Sequence, residues 1–202
     1  MKKILFYILL LFTINSLGSN NAYKFNVKQI NKTEYILLKR KSTTIPFIKG
    51  GIIKKKGIIY LPTSKRGILA LKDDLVNEED PKMVGYKYIG EIGSLNQYVI
   101  EATYLNNSQI ILVDKHNGHI TNMLRFLSYS DRFIATFDMP QDDIYNGIIL
   151  YKKNSNSLDR ILTIKEKTWY PEEITWCSRY SFIIKASTVK NQHIYLKISL
   201  FL

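Results

Sequence analysis

The chain of 202 residues has one cysteine, Cys177. No internal disulfide can form, so packing alone must hold the fold. Cys177 follows Trp176 in an apolar stretch with no histidine near it in sequence. That context suits a small buried hydrophobe rather than an activated thiolate. Acids are scarce in the first part of the chain. Residues 19–72 carry 13 Lys/Arg against one acid, Glu34, whereas residues 73–202 are close to balanced, with 14 basic and 16 acidic residues. No apolar run reaches the ~20 residues that a membrane-spanning helix needs. There is no Gly-x-Ser-x-Gly elbow, no phosphate loop and no dinucleotide fingerprint; each absence removes the enzyme class that depends on it.

The longest apolar run is Ile4 to Ile14, preceded by Lys2 and Lys3 and followed by Asn15-Ser16-Leu17-Gly18. A basic start, a short apolar core and a small-residue exit form the pattern of a secretory signal peptide. The expected cut lies before Ser19, with Ser16 and Gly18 at the −3 and −1 positions; a cut after Ala22 is the alternative. No cysteine follows the run to take a lipid anchor. The expected domain plan is therefore a signal peptide over 1–18 and one β-rich domain over 19–202. Its 19–84 part is basic and its 85–202 part repeat-like. The mature chain, long enough to bury a sizeable core, would be periplasmic or extracellular, of a bacterial kind, with no transmembrane segment.

From Tyr23 onward, short apolar runs alternate with turn residues. Tyr35–Leu38, Ile45–Ile48, Ile52–Ile53, Ile58–Leu61 and Ile110–Val113 read as strands, with Gly50-Gly51 and Asn117-Gly118 as hairpin turns. Phe133, Ala135 and Phe137 alternate with Ile134 and Thr136, and Ile194, Leu196, Ile198 and Leu200 keep the same period of two. The only candidate helix is Gly67–Asp80; a strand over Gly67–Leu71 followed by an acidic loop fits as well. Three stretches share a strand–turn–strand plan: Gln97–Thr121, Asp131–Leu162 and Arg179–Leu200, opened by Tyr98, Phe133 and Phe182. Ile58–Leu71 reads as an earlier, degenerate copy. The expected fold is all-β, an antiparallel repeat architecture forming a small or incomplete β-propeller-like array, with a β-sandwich as the alternative.

Leu127-Ser128-Tyr129-Ser130-Asp131-Arg132-Phe133 resembles the phrase that opens a blade in TolB-like β-propellers, where a Ser-Pro-Asp-Gly turn precedes an inner strand. Trp169–Trp176, leading to Phe182, resembles a second copy. Tyr129 and Arg132 stand where Pro and Gly are expected, and the second copy lacks the Asp-Gly turn. The segment from Gly85 onward is similar to uncharacterised exported bacterial proteins with such repeats. The resemblance implies a fold, not a function.

The chemistry-bearing residues are few. His116 and His119 flank Asn117-Gly118 with Asp114 nearby, but two or three ligands at a hairpin tip make a weak metal site. Asp138, Asp142 and Asp143 lack calcium-loop spacing. Trp169, Tyr170 and Trp176 form the richest aromatic cluster, placed in the core. The expected function is a non-enzymatic exported protein that binds or scaffolds a protein or cell-envelope component, without cofactor, metal or nucleic acid. The rival is a glycan-acting hydrolase drawing a carboxyl pair from Asp138, Asp142, Asp143, Glu172 and Glu173; an inhibitor or immunity-type protein comes third. The basic quarter, at Lys39, Arg40, Lys41, Lys54, Lys55 and Lys56, is expected to give weak, salt-sensitive contact with anionic surfaces.

Overall fold

A computed structural model describes residues 23–42, 46–75, 83–105, 107–138, 147–155 and 157–201. The expected signal peptide, Asp142 and Asp143 lie outside these residues. The chain is all-β: 64% of the described residues are in strands and 8% in helices. Strand β1 (Lys24–Ile30) leads into helix α1 (Lys32–Lys41), and fourteen further strands complete four antiparallel sheets. Sheet I holds β2 (Lys54–Lys55), β3 (Ile58–Thr63) and β4 (Gly67–Lys72). Sheet II is the meander β5 (Val84–Ile92), β6 (Gln97–Tyr104), β7 (Ser108–Asp114) and β8 (Ile120–Asn122). Sheet III is the meander β9 (Phe126–Tyr129), β10 (Phe133–Phe137), β11 (Gly147–Lys153) and β12 (Leu158–Lys165). Sheet IV runs β13 (Trp169–Ser178), β14 (Ser181–Thr188), β15 (His193–Phe201) and then β1, which returns from the start of the chain to pair with β15 from Lys24–Phe201 to Ile30–Tyr195.

Each sequence repeat supplies one sheet. Tyr98, Phe133 and Phe182 occupy equivalent places at the start of β6, β10 and β14, the second strands of sheets II, III and IV. These strands have apolar residues on both faces because each sheet lies between two neighbours. In β6, Tyr98, Ile100 and Ala102 pack on Ile59 and Leu61 of sheet I, while Val99 packs towards Ile134 of sheet III. In β10, Phe133, Ala135 and Phe137 turn to sheet IV and Ile134 turns back to sheet II. In β14, Phe182, Ile184 and Ala186 face sheet III and Ile183 faces Tyr35 of α1. The order of packing is thus I–II–III–IV–α1. Sheet I alone is one-sided: Ile59 and Leu61 are buried while Tyr60 and Pro62 are exposed.

Two local expectations need correction, and a third segment takes the second of its two readings. Tyr35–Leu38 is the centre of α1, not a strand. Its start is a capping signal: Asn31 Oδ1 accepts from Glu34 N at 2.8 Å, and Lys39, Arg40 and Lys41 fill the last turn, where cations suit the helix dipole. Asn31→Ala should lower stability by about 1 kcal/mol in urea unfolding; no measurable loss would mean the cap is idle. Gly67–Lys72 is strand, and no helix occurs there. Gly50-Gly51 does not turn a hairpin. The β2–β3 hairpin turns at Lys56-Gly57, both at positive φ (47° and 76°), as a type I′ turn requires. Gly50 instead permits close approach: a Cβ there would lie 2.6 Å from Glu91 Oε1 and from Tyr88 Oη.

Candidate functional site

A cleft opens between β9 and β13, the first strands of sheets III and IV, beneath the C-terminal end of α1. It comprises two adjoining cavities of ≈ 320 Å³ each that share Tyr129 and Trp176. One is walled by Lys39, Pro46, Phe47, Leu127, Glu173 and Thr175. The other is bounded by Lys41, Ser130, Asp131, Cys177, Ser178 and Arg179. The tight β9–β10 turn is set by Ser130 Oγ, which accepts from Arg132 N and Phe133 N. The Asp131–Arg179 pair, at 2.7 Å, ties that turn to the β13–β14 turn of the next sheet.

Aromatic rings set the shape of the cleft. Phe47 stacks on Tyr129 with centroids 5.3 Å apart. Trp176 is 6% exposed and stacks on Phe133 at 5.8 Å. Its indole N–H has no hydrogen-bond partner among the described residues. An unpaired buried donor costs about 1–3 kcal/mol, and this nitrogen is itself closed off from the cleft that the ring borders. The sequence placed Trp176 in the core and the structure does so too; only the tertiary arrangement also makes it a wall. Phe47 and Tyr129 carry no local signal of a site, because their meeting depends on how loop 46–51 crosses the sheets.

The Glu172-Glu173 pair lies beside this cleft. Pro171 cannot donate to the ladder, and the β13–β14 register shifts just after it, so Glu172 is bulged. Glu173 bonds the Tyr35 hydroxyl at 3.1 Å and pairs with Lys39 at 2.5 Å. Glu172 pairs with Lys185 at 2.7 Å and accepts from Ser187 Oγ. Burial alone would raise the Glu172 pKa, but the bonds from Lys185 and Ser187 outweigh it and hold the carboxyl below its usual range. A carboxylate held ionised is a poor proton donor, which is the opposite of what a glycosidase acid needs. Asp138 lies elsewhere, in a cavity with Arg125 and Tyr104. Ser187 Oγ also meets His193 Nδ1 at 3.1 Å. The three groups form a triangle, because the same His193 Nδ1 also lies 3.5 Å from Glu172 Oε1, and Ser187 is buried. A nucleophile needs the histidine in the middle and its own oxygen open to substrate.

Asp114 is drawn into structure instead of chemistry. It is 4% exposed and accepts from His116 N and Asn117 N, from Gln97 Nε2 at 2.9 Å and from Lys153 Nζ at 2.5 Å. Burial again pushes its pKa up, and the bonds from Lys153, Asn117 and His116 bring it net down. The β7–β8 turn is longer than the two-residue Asn-Gly turn expected: Gly118 N bonds Asp114 O, and only Gly118 takes positive φ. His116 therefore lies at the turn and does not oppose His119 across a hairpin. Cys177 is half-buried, and burial pushes its thiol pKa up, as suits an inert thiol.

The six basic residues singled out in the sequence are split, with Lys39, Arg40 and Lys41 in the last turn of α1 and Lys54, Lys55 and Lys56 in the β2–β3 hairpin. Lys39 and Lys41 border the cleft on α1. Lys54 turns inward, 2.5 Å from Asp73, and donates to Tyr86 O. Lys55 lies on the opposite, exposed face of sheet I, and Lys56 lies in the turn. No described helix is long and apolar enough to cross a membrane. No family model, no curated protein and no solved structure matches this chain.

Proposed function

We propose that the chain is an exported, non-enzymatic binding protein that takes up a protein segment or cell-envelope component in the cleft between β9 and β13. Export rests on the pattern of residues 1–18, and the finer description of the fold as an incomplete β-propeller belongs to the same proposal. The observation that carries the binding reading is the cleft itself, where Phe47, Tyr129 and Trp176 form the walls beside Lys39 and Lys41. Binding sites are concave with placed polar groups that orient the ligand, and this cleft sets Phe47, Tyr129 and Trp176 among Lys39, Lys41, Asp131, Glu173 and Arg179. The carboxylates beside it are paired with lysines and so lend it binding polarity instead of acid catalysis.

The test is capture from a bacterial envelope extract by wild type, Trp176→Phe and Lys41→Glu, with thermal unfolding of each recorded. One component should be retained by wild type and weakened at least tenfold in Lys41→Glu, a surface change that leaves the core intact. Trp176→Phe, which trims the shared wall of the two cavities to a smaller ring, should weaken it about fivefold. Equal capture by all three proteins, or turnover of a glycan by wild type, overturns the reading.

A further inference from the structure

The two ends of the sheet stack are treated differently. At one end, α1 covers the outer face of sheet IV with Tyr35 and Leu38. At the other end, no described residue packs on the outer face of sheet I. That face can be read from the register. Lys55 pairs with Ile58, which pairs with Lys72; Tyr60 pairs with Ala70, and Pro62 with Ile68. These residues share one side, since their neighbours Lys54, Ile59, Leu61 and Leu71 turn inward. Ile53, one alternation before Lys55, joins them. Ile53 is 68% exposed, Ile68 69% and Tyr60 45%. Large aliphatic side chains at such exposure, contiguous on one sheet, are uncommon on a surface that meets only water.

Among the described residues, the charges on and around this face are almost all of one sign. Lys55 and Lys72 stand at one end of it with Lys56 in the adjoining turn, and the β3–β4 turn at the other end carries exposed Lys65, while Arg66 in that turn runs its stem past Gly118 of sheet II. Asp73 lies on the inner side, neutralising Lys54, and Asp74, the next residue along the chain, is exposed. We infer that the outer face of sheet I is a membrane-contact surface for anionic lipid, in which Ile53, Tyr60, Pro62 and Ile68 settle at the headgroup–acyl boundary while Lys55, Lys56, Lys65 and Lys72 meet the phosphates.

The chemistry selects this occupant over two others. A second copy of the same face would set lysine against lysine, and like charges across an interface oppose association. A soluble polyanion has no use for the isoleucines, whereas a lipid surface satisfies both the apolar centre and the basic rim. Tyrosine suits the water–lipid boundary, with an apolar ring and a polar hydroxyl. Each lysine near an anionic leaflet adds about a fivefold gain in partitioning, screened over roughly 8–10 Å at moderate salt. Contact of this kind is peripheral and reversible. It uses a surface distinct from the cleft and does not depend on what the cleft binds.

The test is flotation of the full chain with vesicles of phosphatidylcholine alone or with 30% phosphatidylglycerol as probe. Wild type should float with the anionic vesicles and be released by high salt. Lys55→Gln with Lys72→Gln should weaken partitioning roughly 25-fold, and Ile53→Asn with Ile68→Asn by a similar factor. Lys167→Gln with Lys190→Gln, the same charge change on sheet IV loops, should alter it less than threefold. Ile68→Trp gives a local readout: brominated acyl chains should quench its added fluorescence. This holds even where the apolar run at residues 4–14, common to every variant, holds the protein on the vesicle. Absence of that quenching overturns the inference. So does equal loss in the sheet IV control, or binding that needs the lysines but ignores the isoleucine changes, which marks a soluble-polyanion site. Trp176→Phe should float like wild type, so failure of the cleft proposal leaves this result unchanged.

Discussion

Replacing Phe133 by alanine should destabilise the protein by about 3–5 kcal/mol, the usual cost of deleting a fully packed aromatic ring. Phe133 is 1% exposed and faces sheet IV from the most buried strand of sheet III. Its ring stacks on Trp176 and meets Tyr180 edge-on at 5.9 Å and Tyr23 at 6.1 Å. Four rings drawn from β10, β13, the β13–β14 turn and the approach to β1 thus share one junction. The surrounding sheets are hydrogen-bonded along their length and cannot collapse into the space left behind, which sets the cost high in the range. Urea unfolding followed by tryptophan fluorescence measures the loss, because Trp176 reports on the same contact. A change below about 1 kcal/mol would mean that the ring is not packed as described. Phe133→Ala and Trp176→Phe should be non-additive, since they share a contact.

Lys153→Ala should cost about 3–5 kcal/mol at neutral pH, because it strands the Asp114 carboxylate in the interior. The pair joins the end of β7 to the end of β11 and so fastens sheet II to sheet III. Asp114 and Lys153 side chains are 5% and 15% exposed, so solvent screens them little. The pH dependence follows from the sign of the shift. Asp114 is held below its ordinary value in the folded state, so its contribution is present above the unfolded carboxylate pKa of about 3.9 and fades as pH falls through the folded value. In Lys153→Ala the burial is no longer offset, and the carboxyl takes up a proton at higher pH than in wild type. The gap between wild type and variant should therefore be wide at pH 7 and narrow towards pH 4. A gap that does not change with pH would refute the role of the charge. Pairing Lys153→Met with Asp114→Asn should be less costly than Lys153→Ala alone, since no buried charge is then left unpaired.

Much of the architecture was legible in the residues. Period-two runs place β10 and β15 correctly, and the spacing of Tyr98, Phe133 and Phe182 marks one sheet per repeat. These patterns are local, because alternation along a strand is imposed by the pleat itself. Even the missed helix had a signature in Asn31…Glu34 and the basic Lys39–Lys41 turn. It lost out to the apolar run Tyr35–Leu38, which periodicity alone cannot assign at that length. The β7–β8 turn was misjudged because Asp114, buried by sheet III, draws the His116 and Asn117 amides to itself and lengthens the loop.

The candidate site was far less legible. Trp176, Glu172, Glu173 and the basic residues all stood out as residue types, yet their roles depended on neighbours hundreds of bonds away. Glu172 and Glu173 are adjacent in any reading, but only the bulge after Pro171 and the lysines on β14 and α1 make them an ion-paired couple. Lys54, Lys55 and Lys56 look equivalent in sequence; pairing with β3 turns Lys54 inward to Asp73, exposes Lys55 and leaves Lys56 in a turn. What the sequence alone determined is the strand content, the repeat and the basic bias of the first quarter, since propensity, pleat and composition need no distant partner. What only the tertiary structure decided is which strands pair, above all β1 with β15, which sheets cover each other and which faces remain open. Those outcomes depend on burying apolar surface between segments far apart in the chain, and no short window of residues contains both partners.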